Sequence, residues 1–281
     1  MVSSLKNNLN YFYEFKELYF QIISDFGFDY QEDCKSRNYL SQILTTKSQK
    51  WNLENVIKSF QEQLTKKTDI LIYGCGPSLE ETVNKILREQ EEVFFNSFIN
   101  ITADGAAVFL RELGIKIDAI FTDLDGITKK EFNYSDFNIV HAHGDNIDKL
   151  KIFRNDIINF HNIIGTTQVE PLDNVINPGG FTDGDRIIYF LRKLINPSQK
   201  LFLIGMDFQN IIGKYSKLDF HENLEGTMIK KKKLQYGIKL LEWIIPKIKN
   251  EIYFVNSGNI SKKFNYESIE HFLQMVKHQI L

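Results

Sequence analysis

The spacing of hydrophobic residues changes near residue 66. Up to that point the apolar positions recur at helical spacing, with almost no strand-like alternation. The two clearest stripes are Tyr11, Phe15, Leu18 and Ile22, and then Leu53, Val56, Ile57, Phe60 and Leu64. Residues spaced in this way cover one face of an amphipathic helix. The pattern therefore predicts a helical N-terminal extension over residues 1–66, whose helices we expect to pack against the rest of the protein rather than to form its site.

From Asp69 onward, short apolar runs of strand length alternate with stretches of helical spacing. This alternation is typical of βαβ units on a mainly parallel sheet. We therefore predict an α/β catalytic domain over residues 67–281, with an open, Rossmann-like sheet flanked by helices. One expected strand runs from Ile157 to Ile164. The last strand is expected in E-I-Y-F-V-N-S and the last helix from about Tyr266.

The composition argues against several classes of function. The 281 residues include 34 basic and 36 acidic side chains, and this net charge of −2 lacks the basic surface that duplex nucleic acid requires. The apolar runs are too short to span a membrane, and the first residues lack the apolar core of a signal peptide. Two cysteines, Cys34 and Cys75, cannot form a disulfide framework. We expect a cytoplasmic protein with small-molecule partners and without nucleic-acid or membrane partners; the sequence leaves homo-oligomerisation open.

The stretch F-T-D-L-D-G, from Phe121 to Gly126, ends a predicted buried strand in two carboxylates. Residues two apart in an extended chain point to the same side, so Asp123 and Asp125 are placed to hold one cation. Closely spaced oxygen ligands suit Mg²⁺ shared with a phosphate substrate. The alternative is a plain strand-to-turn junction, in which aspartate and glycine only favour the turn.

Two glycine-containing turns follow other predicted strands. The first turn consists of Gly74, Gly76, Pro77 and Ser78. It opens a helix in which Ser78 and Glu81 match a capping box, and the free N–H groups of a helix start bind phosphate. A tight turn alone explains the glycines equally well. The next strand ends in a turn of Asp104 and Gly105, and all of these turns follow the carboxyl ends of strands, where open α/β sheets bind ligands.

The run N-I-V-H-A-H-G-D-N brings His141, His143 and Asp145 into alternation at a fourth strand end. H-x-H-x-D is similar to the zinc motif of metallo-β-lactamase-like hydrolases, but Asn146 stands where that motif has its last histidine. Three interpretations stay open: a zinc site, a hydrogen-bonding role for the histidines, and contact with a phosphate or a magnesium-bound water. Asp145 is the strongest candidate of the three residues.

A looser segment, G-G-F-T-D-G-D-R, precedes another predicted helix. Thr182 is the expected N-cap, and Asp183 and Asp185 fall in the first turn, where acidic residues also favour the helix dipole. Gly184 is a poor helix former at that position. The choice of residues therefore indicates a function beyond helix stability.

Acidic residues thus follow several strand ends, including Asp207 after K-L-F-L-I-G-M. Like charges in one crevice are costly unless a cation neutralises them. This convergence indicates a metal site, for which the candidate ligands are Asp123, Asp125 and either Asp185 or its neighbour Asp183. Further along, the four consecutive lysines 230–233 are predicted to be either a solvated helix start or the source of a lysine for a triphosphate.

Short motifs between about Asp69 and Phe208 follow the order G-C-G-P-S-L, A-D-G-A, T-D-L-D-G, H-A-H-G-D-N, G-G-F-T-D-G-D-R and G-M-D-F. In this order they resemble the archaeal-type 6-hydroxymethyl-7,8-dihydropterin pyrophosphokinases, a family more distantly similar to thiamine pyrophosphokinases. The thiamine enzymes have A-D-G-G-A and then G-D-F-D-S, where this chain has A-D-G-A-A and T-D-L-D-G. The comparison implies that Asp123 and Asp125 lie at a magnesium–diphosphate centre and Asp104 beside the nucleotide or substrate. The core also resembles a domain of flagellin-modifying glycosyltransferases.

The resemblance implies a Mg²⁺-dependent enzyme that moves the β,γ-diphosphate of ATP to the hydroxymethyl group of a reduced pterin and releases AMP. The residues expected to bind the nucleotide are Gly74, Gly76, Pro77, Ser78, Asp104, Gly105, Thr182 and Asp183. Arg186 is expected to donate a forked pair of hydrogen bonds to a phosphate, and Asp145 to orient the acceptor alcohol. Phe181 is the aromatic residue suggested for the pterin. A thiamine acceptor and a metal-dependent glycosyltransferase are the alternatives.

Overall fold

The computed structural model describes residues 4–277. The strands in this range are β1 (Asp69–Tyr73), β2 (Ile99–Ala103), β3 (Ala119–Thr122), β4 (Phe137–Ala142), β5 (Ile163–Thr167), β6 (Val175–Ile176), β7 (Lys200–Ile204), β8 (Ile211–Ile212), β9 (Leu224–Glu225), β10 (Ile252–Val255) and β11 (Asn265–Glu267). Nine of them form one parallel sheet in the order β11-β10-β7-β1-β2-β3-β4-β5-β6, and β8 and β9 form a separate antiparallel ribbon. The predicted α/β fold with an open parallel sheet is confirmed.

Of the described helices, four precede the sheet, seven lie between strands, and the last follows β11. The helices are α1 (Leu5–Asn8), α2 (Phe12–Phe26), α3 (Tyr30–Thr45), α4 (Leu53–Leu64), α5 (Ser78–Glu89), α6 (Ala106–Glu112), α7 (Lys129–Phe132), α8 (Ile147–Ile152), α9 (Arg154–Asn159), α10 (Asp183–Leu191), α11 (Met228–Ile244) and α12 (Ile269–Val276). The predicted helical N-terminal segment therefore consists of α1 to α4.

Helices cover both faces of the sheet, so its strands are buried on both sides. In β1 all five residues are buried. Ile70 and Ile72 belong to the apolar cluster on one face, and Leu71 and Tyr73 to the cluster on the other. A strand buried on both faces needs apolar residues at consecutive positions. This explains why the sequence shows continuous apolar runs here rather than an alternation.

The N-terminal helices share these apolar clusters with the sheet. Phe15 of α2 and Phe60 of α4 are buried in the first cluster, and Leu40 of α3 in the second. The stripe predicted from Leu53 to Leu64 is buried along its whole length. The segment is therefore part of the same hydrophobic core as the sheet, while a domain boundary at residue 66 stays a prediction.

Two details of the predicted secondary structure are wrong. The expected strand from Ile157 to Ile164 is the end of α9 followed by a loop, and β5 begins only at Ile163. Ile157 is buried from a helix, and a short apolar run does not distinguish a helix turn from a strand. Near the C-terminus, β11 at Asn265–Glu267 was not predicted, since three largely polar residues give no strand pattern.

The connectivity reverses beside β1. From β1 the chain adds β2 to β6 in succession on one side, and then returns to place β7 on the other side of β1. A reversal of this kind opens a crevice at the carboxyl ends of the two neighbouring strands, and ligands of open α/β sheets bind there. The turns after β1 and β7 both face this crevice.

Candidate active site

Three carboxylates meet at the carboxyl ends of β2 and β3. Asp104 follows β2, Asp123 and Asp125 follow β3, and one oxygen from each lies within 4.8 Å of the others. The structure thus brings the two predicted metal ligands together with Asp104, which the sequence had suggested for the nucleotide. The donor set consists of hard oxygens, which suits Mg²⁺.

A tight turn produces this arrangement, not strand alternation. Strand β3 ends at Thr122, and Leu124 has the left-handed φ of 73°. The Thr122 hydroxyl donates to Oδ1 of Asp104 at 2.6 Å and accepts from the amide of Leu124 at 2.7 Å. Asp123 and Asp125 therefore converge because the chain curls between them, with one hydroxyl linking both turns.

The negative charges of these carboxylates repel one another. Burial, together with the negative charge of Asp123, raises the pKa of Asp104 well above its ordinary value. The same two causes raise the pKa of Asp183 to about 8 and raise that of Asp125. Such shifts show a cluster of carboxylates that repel one another, and a cation relieves that repulsion. The residues therefore fit a divalent metal ion.

Asp123 differs from the other acids because it has a histidine partner. Burial disfavours its ionised form, but His143, whose Nε2 lies 3.1 Å from Oδ2 of Asp123, holds the pKa of Asp123 below its ordinary value. Burial works against protonation of His143, yet the hydrogen bond and charge of Asp123 raise its pKa. The hydrogen bond with His143 thus holds Oδ2 of Asp123 in place.

Asp185 lies apart from this cluster. Its carboxylate accepts hydrogen bonds from the amides of Phe181 and Thr182, at 2.7 and 3.0 Å, and from the Thr182 hydroxyl at 2.6 Å. Asp185 is fully buried, and with Thr182 it forms a capping box at the start of α10. The predicted metal ligand is therefore a helix cap, and its neighbour Asp183 faces the acids instead.

The glycine turn after β1 also departs from the prediction. The amides of Gly74 and Gly76 donate to the carbonyls of Ile204 and Gly205, at 2.8 and 2.7 Å, and are not free for a phosphate. Ser78 bonds to Asp207 through its amide at 2.9 Å and its hydroxyl at 2.7 Å, so the capping box with Glu81 is wrong.

Close packing explains the glycines of this crevice. A Cβ atom on Gly76 would lie 2.3 Å from Oδ2 of Asp207, and one on Gly105 would lie 1.9 Å from the carbonyl oxygen of Tyr215. Pro77 takes the N-cap position of α5. The glycines let neighbouring turns approach, and Asp207 occupies the helix start that was expected to bind phosphate.

Two cavities meet at Asp123, and one of them is also bordered by Asp104 and Asp125. The glycine cavity, about 470 Å³, is lined by Gly74, Gly76, Asp104, Asp125, Met206, Phe208, Ile212 and Ile229. The histidine cavity, about 430 Å³, is lined by Phe28, Asp33, His141, His143, Asp145, Gln168, Phe181 and Arg186. Both are also bordered by Asp123, Thr182, Asp183, Lys230 and Lys233. A molecule in one cavity therefore reaches a molecule in the other beside the acids.

The four lysines at the start of α11 divide into two pairs. Lys230 and Lys233 border both cavities. Lys231 pairs with Glu225, and Lys232 lies 3.8 Å from a carboxylate oxygen of Asp25. Lys231 and Lys232 thus lie beside carboxylates at the surface, whereas Lys230 and Lys233 bring positive charge to the junction of the cavities.

The two histidines have different surroundings. Nδ1 of His141 lies 3.1 Å from the hydroxyl of Thr166, and burial followed by the charge of Arg186 lowers the pKa of His141 well below its ordinary value. His143 bonds to Asp123. Among the described residues, the group of side chains close enough to share a metal is the carboxylate triad, and the histidines stand outside it.

Arg186 and Asp145 lie in the histidine cavity, as does Phe181. Arg186 is almost fully buried and donates to the carbonyl of Phe181 at 3.0 Å. The sequence did not suggest Asp33 or Gln168, which line the same cavity. Asp33 lies on an amphipathic helix far from any motif, and one acidic residue on its buried face is the only signal that would have pointed to it.

The fold and this site define an α/β protein with an acidic centre between two ligand cavities. The chain belongs to the family described as 6-hydroxymethylpterin diphosphokinase MptE-like, whose profile matches residues 44–213. It is 36% identical over 247 residues to a protein from Methanocaldococcus jannaschii named 6-hydroxymethyl-7,8-dihydropterin pyrophosphokinase, and the match covers 85% of this chain and 97% of that one. A protein of the same name from Pyrococcus furiosus is 35% identical over 235 residues, or 82% of this chain and 93% of that one.

Among solved structures, the chain is similar to the MAf glycosyltransferase from Magnetospirillum magneticum AMB-1, with a TM-score of 0.39 and 12% identity over 80% of this chain and 39% of that one. A likeness of this degree carries no argument about function. Within residues 4–277, no helix combines the length and apolar character needed to cross a membrane.

Proposed function

We propose that the protein is a Mg²⁺-dependent diphosphokinase that transfers the β,γ-diphosphate of ATP to the hydroxymethyl group of 6-hydroxymethyl-7,8-dihydropterin and releases AMP. Family membership and the names of the relatives support the pterin acceptor. The observation that carries the proposal is that two cavities meet at Asp123, whose carboxylate shares a possible metal site with those of Asp104 and Asp125. A reaction between two small molecules needs two adjoining sites with charge neutralisation between them.

ATP is assigned to the glycine cavity. Its walls combine the close backbone of Gly74 and Gly76 with apolar side chains such as Phe208 and Ile229, which suit a nucleoside. The acceptor is then assigned to the histidine cavity, whose wall includes the aromatic ring of Phe181. With this arrangement the polyphosphate of ATP crosses the junction between the cavities.

The residues at the junction hold and neutralise the polyphosphate. Asp104, Asp123 and Asp125 would hold Mg²⁺, which when bound supplies positive charge to the phosphate oxygens. Lys230 and Lys233 border both cavities and add positive charge from the opposite wall. Phosphoryl transfer asks little covalent chemistry of a protein, so this positioning and neutralisation supply most of the acceleration.

The acceptor hydroxyl must be aligned with the β-phosphorus of ATP for transfer of a diphosphate. Asp145, which lines the histidine cavity, is assigned to accept a hydrogen bond from that hydroxyl, and Arg186 to bind a phosphate oxygen from the same side. These roles place the reacting groups side by side while the two cavities hold the rest of each substrate.

The experiment is to identify the products made from ATP labelled at both the β- and γ-phosphates, with Mg²⁺ and the reduced pterin. AMP is expected to accumulate in step with a doubly labelled pterin diphosphate, without ADP. Transfer of the γ-label alone would show a simple kinase. Transfer to thiamine but not to the pterin would reassign the acceptor. Consumption of a nucleotide-sugar with ATP untouched would indicate a glycosyltransferase.

A further inference from the structure

The histidine cavity contains two almost fully buried side chains that each have a nitrogen without a hydrogen-bond partner in the described structure. These atoms are Nε2 of His141 and Nε of Arg186, and the side chains are 1% and 2% exposed. Buried polar atoms in proteins are nearly always satisfied, because an unsatisfied one costs about 1–3 kcal/mol. Both residues line the cavity, so a bound molecule is placed to complete their hydrogen bonding.

The hydrogen-bond network around His141 decides which kind of partner its Nε2 needs. We assign the proton of the Thr166 hydroxyl to the carbonyl of Val140, 3.3 Å away, and on that assignment the hydroxyl oxygen accepts from Nδ1 of His141 at 3.1 Å. A neutral imidazole has one donor and one acceptor nitrogen, and its Nε2 is then the acceptor. His141 therefore calls for a donor on the ligand, whereas the N–H at Nε of Arg186 calls for an acceptor.

Asp33 supplies a second acceptor beside this pair. Its Oδ1 accepts from the amide of Gly144 at 2.6 Å, and its Oδ2 accepts from the Tyr19 hydroxyl at 2.6 Å and from Nε2 of Gln168 at 2.7 Å. A carboxylate has about four acceptor positions, so these three bonds hold it rigidly and leave about one for a ligand.

The cavity thus offers acceptors from Asp33 and His141 and a donor from Arg186, with aromatic rings of Phe28 and Phe181 in its wall. A 2-amino-4-oxopyrimidine ring has the matching edge, since an amino group and a ring N–H stand beside a carbonyl oxygen. We propose that these three residues recognise that edge of the acceptor and that Asp33, from the N-terminal helices, determines specificity for its 2-amino group. This inference rests on the proposed function for the identity of the acceptor.

The assignment also separates the candidate acceptors. The pyrimidine of thiamine bears an amino group beside an unprotonated ring nitrogen, which accepts hydrogen bonds but carries no N–H, so it leaves one of the two acceptors, Asp33 or His141, without a donor. An unpaired buried acceptor costs about 1–3 kcal/mol, or about 5- to 150-fold in affinity. The pocket chemistry accordingly favours the pterin over thiamine.

The test is calorimetric titration of the full-length protein with 6-hydroxymethyl-7,8-dihydropterin in the absence of ATP. Asp33→Asn is expected to weaken pterin binding about 10- to 100-fold, because a charge-assisted hydrogen bond is lost, while the Kd for MgATP stays unchanged. Wild-type protein is expected to prefer the pterin over 6-hydroxymethyllumazine, which has an oxo group in place of the 2-amino group. Asp33→Asn is expected to lose most of that preference. Glu17→Gln, an exposed site on α2, is the control for charge and should match the wild type.

A second variant distinguishes loss of recognition from a folding defect caused by Asp33→Asn. His141→Phe removes the acceptor nitrogen and deletes none of the three groups that donate to Asp33, and it should weaken pterin binding about 10-fold with MgATP binding intact. Equal weakening of pterin and MgATP in both variants would show that these residues act through the fold, and the assignment would be wrong. Guanosine carries the same edge, and tighter binding of guanosine than of the pterin would also overturn it.

The outcomes for this inference and for the proposed function are distinguishable. If the wild type makes pterin diphosphate but Asp33→Asn binds the pterin as well as the wild type does, the recognition site is wrong and the function stands. If the wild type binds the pterin through Asp33 but forms no diphosphate from it, the function is wrong and the recognition site stands. A wild type that does not bind the pterin at all contradicts both.

Discussion

A Cβ atom on Gly126 would lie 2.1 Å from Oδ2 of Asp104 and 3.0 Å from the amide nitrogen of Gly105. The glycine that ends the T-D-L-D-G motif therefore leaves room for the carboxylate of the preceding turn. The role of Gly126 is one of space rather than of backbone conformation.

Gly126→Ala is expected to displace Asp104 and to lower kcat at least about 100-fold, because a shift of about 1 Å in a catalytic group has this effect. Gly258→Ala is the matched control, since the new Cβ atom would meet only the side chain of Gln209, whose terminal amide can move away. Steady-state kinetics of both variants provide the measurement. A Gly126→Ala enzyme with wild-type kcat would show that Asp104 need not hold its observed position.

Asp123→Asn and Asp125→Asn are each expected to lower turnover by several powers of ten while the protein stays folded. Both residues belong to the carboxylate triad, and removing one negative charge lessens the repulsion that raises the pKa of Asp104. The thermal midpoint without metal should therefore hold or rise in Asp125→Asn, whereas Asp123→Asn also loses the interaction with His143 and should be less stable; Mg²⁺ affinity should fall in both. Asp173→Asn, at an exposed carboxylate, is the control. Unchanged turnover in both variants would remove these residues from the site.

Asp185→Asn is expected to lower stability rather than Mg²⁺ affinity, in contrast to the variants of the carboxylate triad. Its carboxylate accepts three hydrogen bonds at the start of α10, and an amide group replaces one acceptor oxygen with a donor. We expect the free energy of unfolding to fall by about 1–3 kcal/mol, with Mg²⁺ affinity unchanged. Chemical denaturation and metal titration give the two quantities. Lost metal affinity with intact stability would restore Asp185 as a metal ligand.

The histidine pair is expected to bind no stoichiometric zinc. Each ring has one nitrogen engaged within the protein, by Thr166 for His141 and by Asp123 for His143. Protein purified without added metal should contain well under one zinc per chain, and chelation followed by Mg²⁺ should restore full activity. Elemental analysis and activity after metal replacement are the measurements. Stoichiometric zinc, with activity that zinc alone restores, would favour a hydrolase-type centre instead.

Lys47, which follows α3, joins the N-terminal segment to α9 and the loop after it, and its loss is expected to destabilise the fold. Its Nζ donates to the carbonyls of Ile157, Ile158 and Phe160 at 2.7, 2.9 and 2.6 Å. Lys47→Met leaves these acceptors without that donor and should lower the free energy of unfolding by about 1–3 kcal/mol.

The stability difference between wild type and Lys47→Met should also depend on pH. Burial lowers the pKa of Lys47 to about 8, below the ordinary value of 10.5. Between these two values the unfolded chain binds more protons than the folded one, so the stability of the wild type relative to the variant rises with pH. Chemical denaturation of both proteins at pH 7 and pH 10 measures this stability difference. A difference that stays constant or shrinks would contradict the shift.

Much of the sheet could be predicted because strands covered on both faces need consecutive apolar residues. The acids of T-D-L-D-G could be located for the same reason, since they end such a run. Their geometry could not, because it depends on the left-handed turn at Leu124 and on the hydroxyl of Thr122. A single sequence does not show which of several acids after a strand turns toward its neighbours.

For other residues the sequence pattern was compatible with a role different from the one the structure shows. Asp185 fits a metal ligand and a helix cap equally well in sequence, and only the position of the Phe181 amide separates the two. Ser78 matches a capping box but is bonded to Asp207, which is distant along the chain. Asp33 gave no motif at all, because its place in the cavity depends on how α3 packs beside Gly144.

The position of β1 in the sheet also fixes the order in which the site can form during synthesis. Its neighbour β2 follows closely in sequence, but its other neighbour is β7, with Asp69 paired to Lys200. Until that distant strand has left the ribosome, β1 has an open edge, and the crevice after Gly74 has one wall. A nascent chain that stops before Lys200 therefore exposes an apolar strand edge and has no complete glycine cavity.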